Sequence, residues 1–149
     1  MAVQRDDPYP AFNFQVDIAG ILDDGRSIRG WFSEVSGLDI ELVPIEYRTG
    51  VEDIRVRKLP GLKKFTNITL KRGITGDLTL WDWIKTAMDG RVQRADGTIT
   101  LLDESRQPVM TWRFRRAWPC KLSGPTLNAK SNEIAMESLE LCHEGLELE

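Results

Sequence analysis

Phe12-Asn13-Phe14-Gln15-Val16-Asp17-Ile18 alternates apolar and polar side chains at every step. A period of two marks a strand with one buried and one wetted face. Outward from it, Asp23-Asp24-Gly25 supplies a hairpin turn, since glycine accepts positive φ without steric cost. A return strand is predicted over residues 27–35, ended by Gly37. A third, over residues 39–48, carries Ile40, Leu42, Ile45 and Tyr47, whose phase slips at Pro44. The slip predicts a bulge, and the proline an edge position or a bend.

The remaining segments extend this reading. Residues 67–71 form a short strand with Ile68 and Leu70 on one face. Ala95-Asp96-Gly97 reads as a hairpin turn between segments 92–94 and 98–103, and residues 103–108 turn the chain again. In segment 109–117, Met110, Trp112 and Phe114 face inward while Thr111, Arg113 and Arg115 face outward. Ser123-Gly124-Pro125 breaks the chain. The last strand, over residues 133–144, changes phase between Ile134/Met136 and Leu139/Leu141, which predicts a bulge near Ser138. Only residues 79–89 have helical period: Leu80, Trp81, Trp83, Ile84, Ala87 and Met88 share one arc, assigning both tryptophans to the core. Thr79 with Asp82 forms a capping-box signature, and Gly90 ends the helix. The fold class is mainly β, an antiparallel sandwich or barrel with one amphipathic helix, and residues 1–149 make a single domain.

Chemistry is sparsely represented. His143 is the sole histidine and lies in an acidic strand without a nucleophile elbow. The paired acids Asp6-Asp7, Asp23-Asp24 and Asp103-Glu104 sit in turns or at the terminus. Gly73-Ile74-Thr75-Gly76 lacks the lysine of a phosphate loop and serves as a tight turn before the helix. Cys120 and Cys142 have no metal-binding spacing and read as reduced thiols. The expectation is a protein that is not an enzyme and takes no metal or cofactor. Residues 1–12 have no apolar centre, so no secretory signal is expected, and no apolar run reaches the roughly 20 residues of a membrane span.

Net charge is only −3, but it is unevenly distributed. Between residues 48 and 72 stand Arg48, Arg55, Arg57, Lys58, Lys63, Lys64, Lys71 and Arg72 against Glu52 and Asp53; after Lys130 every charged side chain but His143 is acidic. Residues 49–65 have no clear period and read as a long basic loop presented to a charged partner. That partner is another copy of the chain, through complementary charge, or a nucleic acid bound by the basic segment 55–72. The loop lacks the interleaved aromatic residues of a single-strand binder, and the chain is acidic as a whole.

Several segments carry a resemblance in colinear order along nearly the whole chain. Among them are Asp7-Pro-Tyr-Pro-Ala-Phe-Asn-Phe14, Phe32-Ser-Glu-Val-Ser-Gly-Leu38, Val56-Arg-Lys-Leu-Pro-Gly-Leu62, Ile68-Thr-Leu-Lys-Arg-Gly73, Phe114-Arg-Arg-Ala-Trp-Pro119 and Glu140-Leu-Cys-His-Glu-Gly-Leu146. They resemble the contractile-tail tube family of bacteriophage tails, tailocins and extracellular contractile injection systems, similar in fold to the hemolysin-coregulated tube protein of type VI secretion. The resemblance implies homohexameric rings stacked into a hollow tube inside a sheath, with baseplate, spike and tube-initiator proteins as partners and protein or DNA cargo in the lumen. It implies synthesis in the bacterial cytoplasm and work in an assembled particle.

Carried onto this sequence, the basic loop resembles the family's connector between subunits and rings, with Arg55, Arg57, Lys58, Leu59, Pro60, Gly61, Lys63 and Lys64 as its residues. Asp6, Asp7, Glu140, Glu144 and Glu147 are the candidate acidic complements. Asn13, Gln15, Asp17, Glu34, Asp39 and Glu41 are the candidate lumen-facing residues.

Overall fold

In the computed structural model, which describes residues 2–149 except 23, 31, 49 and 51–55, strand follows strand up to a single helix and then again after it. In chain order the elements are β1 (Phe14–Ile18), β2 (Ile28–Gly30), β3 (Glu34–Ser36), β4 (Ile40–Tyr47), β5 (Arg57–Phe65), β6 (Ile68–Gly73), α1 (Thr79–Met88), β7 (Ala95–Leu102), β8 (Pro108–Ser123), β9 (Met136–Cys142) and β10 (Gly145–Leu148). Eight strands form one antiparallel sheet in the order β2-β1-β7-β8-β9-β6-β3, with β10 added alongside β8.

The sheet folds over itself because β8 turns a corner. Its first half pairs with β7 and β10, its second half with β9. Three register shifts fall along it: one where Leu101 pairs with Met110 but Leu102 with Pro108, one where Gly97 pairs with Phe114 but Ala95 with Ala117, and one at Cys120, between Pro119 and Lys121. Arg116 adopts φ 51° at the corner, and its amide donates to Asp96 Oδ1 at 2.9 Å. Each bulge adds a residue to β8 alone and sharpens its bend, so one strand serves both layers. Between them lies the core: Val16, Ile18, Ile99 and Phe114 from one side, Ile68, Leu70, Leu139 and Leu141 from the other, with Leu80 and Trp83 of α1.

Four sequence expectations need correction. Ala95-Asp96-Gly97 is not a hairpin turn but part of one continuous strand, β7. Gly97 is required there for close packing, since a Cβ would fall into the Phe114 ring and against Ile18. The bulge expected near Ser138 lies instead across the ladder at Cys120, and β9 keeps its register against β6 throughout. Ile134 precedes β9 and is exposed, so the apparent phase change was the strand's start.

On α1, Trp83 is fully buried and donates Nε1–H to the Gln93 carbonyl at 2.7 Å. Trp81 is 48% exposed, together with Leu78 and Met88, so the buried stripe is narrower than the apolar arc. Thr79 is the first helical residue rather than the cap: Leu78 holds the N-cap position without a side-chain bond, and Asp77 before it accepts the Thr79 amide at 3.0 Å and the Thr79 hydroxyl at 2.6 Å through Oδ1. These bonds hold the Asp77 carboxyl below its ordinary range. Gly90, at φ 78°, ends the helix as expected.

Candidate functional site

The stretch read as a long loop is largely a strand. β5 spans Arg57–Phe65 and pairs with β4 in a separate two-stranded sheet. Sequence reading missed it because Pro60 and Gly61 signal a break, and because β5 lacks a buried face to impose a period. The match that could have revealed it is electrostatic. Glu41 stands opposite Lys64 and Glu46 opposite Lys58, the favourable arrangement for cross-strand pairs. Arg55 lies outside the described residues.

The hairpin has an irregular waist. Register passes from Leu42 opposite Lys63 to Pro44 opposite Pro60, so Gly61 and Leu62 together face Val43 in a bulge on β5. Only glycine fits at position 61, since a Cβ would collide with the Val43 carbonyl. The register shift falls at Pro44, where the phase slip predicted a bulge, but the extra residue is on β5 and not on β4. Two opposed prolines have no N–H to exchange, so they occupy a position where a donor would point outward to the edges. Each edge of the hairpin thus lacks a donor at its middle, which discourages further strands from joining there.

Every residue of β4 is exposed. Alternation sets Val43, Ile45 and Tyr47 on one face, with Leu59 opposite Ile45 and Arg57 opposite Tyr47. All of these apolar side chains are solvent-exposed, and Leu62 at the bulge is 83% exposed. An isolated hairpin is marginal in water, and a contiguous apolar patch of this kind marks an interaction surface. At the root the arm is anchored: Phe65 packs on the core, and Thr66 donates its hydroxyl to the Gly37 carbonyl at 2.9 Å. His143, tilted against Phe65 and Phe114, places its ring nitrogens 2.9 Å from the Thr66 carbonyl and 3.1 Å from that of Gly145. The sole histidine thus staples the arm to the body.

The remaining basic residues of segment 55–72 are occupied at home. Lys71 lies 3.6 Å from Glu34, and Arg72 pairs with Glu137 at 2.7 Å, with side chains only 15% and 16% exposed. The acidic terminus is likewise not a bare negative surface. β10 pairs with β8, which sets Glu147 beside Arg115 at 3.1 Å and Glu149 beside Arg113 at 3.0 Å. Glu144 holds Arg116 at 2.8 Å and Arg94 at 3.2 Å, and Glu140 accepts from Asn67 at 2.9 Å. Strand pairing thus gives several of the acidic residues basic partners within the chain. Asp6 and Asp7 remain exposed on an N-terminal strap that Val3 ties to Val109 and Arg5 to Glu104.

The lumen candidates come from several elements. Gln15 and Asp17 lie on the outer face of β1, next to Thr100 and Thr98 of β7, with Arg29 3.4 Å from Asp17. Asn13 donates its amide to the Asp103 carbonyl at 3.2 Å. Glu34 belongs to the edge strand β3, Asp39 to the root of the arm, and Glu41 to the arm itself.

This architecture, a folded-over antiparallel sheet with a projecting hairpin, can be compared with known proteins. The family model for T4-like virus tail tube protein gp19 matches residues 10–147. The chain belongs to this tail tube family. In the structure of an extracellular contractile injection system, the PVC sheath-tube complex in its extended state, one chain is 35% identical, with 95% of this chain and 91% of that one covered and a TM-score of 0.82. A chain of the anti-feeding prophage baseplate is 25% identical over 97% of both chains, with a TM-score of 0.86. Hcp1 from Flavobacterium johnsoniae, at 15% identity and a TM-score of 0.58 over 91% of this chain and 93% of that one, shares the fold. No curated protein sequence matches. These tail tube relatives are structural proteins rather than enzymes, and the nucleic-acid reading of segment 55–72 finds no support among them. Among the described residues, no helix is long and apolar enough to cross a membrane.

Proposed function

We propose that this tail tube protein is the repeating subunit of the inner tube of a contractile tail or injection system. Six copies close a ring, rings stack into a hollow tube within a sheath, and contraction drives the tube through a target envelope while its lumen conducts protein or DNA cargo. The observation that carries the reading beyond family membership is the β4–β5 arm. It exposes an apolar face, pairs with no strand of the body and gains a cover only from another molecule. Arg57 and Lys63 stand opposite Tyr47 and Leu42 rather than acids, which suits them to meet Asp6 and Asp7 of a neighbour.

Sheath, baseplate, spike and tube-initiator proteins are the further partners, in keeping with relatives drawn from sheath-tube and baseplate assemblies. Gln15 and Asp17 with Thr98 and Thr100 make a polar sheet face suited to line the lumen. The protein is made in the bacterial cytoplasm and works in the assembled particle. Electron microscopy of the purified protein, alone and with baseplate, is expected to show rings or tubes; monomers under every assembly condition would overturn the proposal.

A further inference from the structure

Beside the root of the arm lies a groove of about 390 Å³, lined by Tyr9, Phe14, Val35, Leu38, Leu101 and Trp112. These are large apolar side chains, only partly buried, on the N-terminal strap, β1, β3, β7 and β8. They lie where the folded-over sheet stays open, near edge strand β3. The chain leaves the groove at Leu38 and enters the arm at Ile40, yet every residue of β4 is exposed, so the arm leads away from its own groove.

We infer that this groove receives the Val43–Ile45–Tyr47–Leu59 face of the arm from a second copy of the chain. The inference rests on the connector reading above and names the acceptor surface. Three observations choose the occupant. Both surfaces are apolar and uncovered within one chain, and each costs free energy while it faces water. Their rims are opposite in charge: Arg57 lies on the arm's apolar face, while Asp6 and Asp7 lie exposed on the strap whose Tyr9 lines the groove. The opposed Pro44 and Pro60 deny the arm a central edge donor, so it binds by a face in a groove rather than by adding a strand to β3. Donor and acceptor are different patches of the same chain. The contact is head-to-tail, and repetition closes a ring or continues as a filament.

Site-directed photocrosslinking tests this. Leu59, an exposed position, is replaced by p-benzoylphenylalanine, and the protein is assembled with heavy-isotope copies that carry no photoreactive group. Irradiation and mass spectrometry are expected to place most adducts on heavy chains at Tyr9, Phe14, Val35, Leu38, Leu101 or Trp112. Adducts on heavy chains concentrated elsewhere would overturn the groove assignment and leave the connector reading standing. Adducts confined to the light chain, or none on heavy chains, would overturn both.

Discussion

At Arg72 the guanidinium sits over the Phe32 ring at 5.9 Å and pairs with Glu137 at 2.7 Å and Asp77 at 3.7 Å. Truncation would leave the Glu137 carboxylate in a half-buried site without its charged partner. Arg72→Ala is expected to destabilise the fold by about 1.5–3 kcal/mol, the range for hydrogen bonds to charged groups, as measured by urea unfolding. Glu104 makes a different case, because it is exposed and its role is to hold the strap. The Arg5 guanidinium donates to it at 2.9 Å through two nitrogens and brings its carboxyl from 4.5 down to about 2. A depressed carboxyl stabilises above its unfolded value and loses that contribution as pH falls through the folded one. Strap anchoring is therefore expected to be complete above the usual 4.5 and to fade towards pH 2. Protection of the Val3 amide, bonded to Val109 at 2.8 Å, against exchange relative to its intrinsic rate should fall as pH is lowered across that interval, and in Glu104→Gln should be low throughout. Neither pairing was legible in the sequence, where Arg72 counted as display charge and Glu104 as a turn acid. Their partners lie 65 and 99 residues away, and only the folded sheet brings them together.

At the scale of elements, β1, β6 and α1 were legible because each buries one face and the burial imposes a period. The arm was only half legible. β4 read as a strand, but the period that normally betrays a buried face was here an exposed one, and the bulge at Gly61–Leu62 scrambled the period of β5. The apolar side chains of the arm face solvent in the free subunit, so their removal should cost assembly and spare the fold. Ile45→Asp with Leu59→Asp is expected to leave circular dichroism and thermal unfolding essentially unchanged, since exposed substitutions act within about 0.5 kcal/mol. The same variant should abolish rings in sedimentation and microscopy. Arg57→Glu with Lys63→Glu tests the charge rim separately and is expected to slow assembly more than to prevent it, because rim charges act mainly on encounter.

For the whole molecule, the distribution of charge decides how assembly responds to salt. The acidic terminus and the arginines of β8 neutralise one another within the chain, which leaves an apolar contact with a thin charged rim. Tubes formed at ~0.1 M salt are therefore expected to persist at ~1 M, although the Debye length falls from about 10 Å to 3 Å; sedimentation across that series would reveal dissociation if long-range charge held the tube together. The sequence by itself determined the strand-rich class, the single helix with its glycine stop, the break of phase at Pro44 and the family. All of these are local or colinear signals, carried by period, turn chemistry and segment order. Only the tertiary structure decided that residues 57–65 are a strand, that Trp83 is core while Trp81 is surface, and that the acidic end is spent on the protein's own arginines. Those outcomes depend on which strand lies beside which, and that pairing follows from the corner in β8 that folds one sheet into two layers.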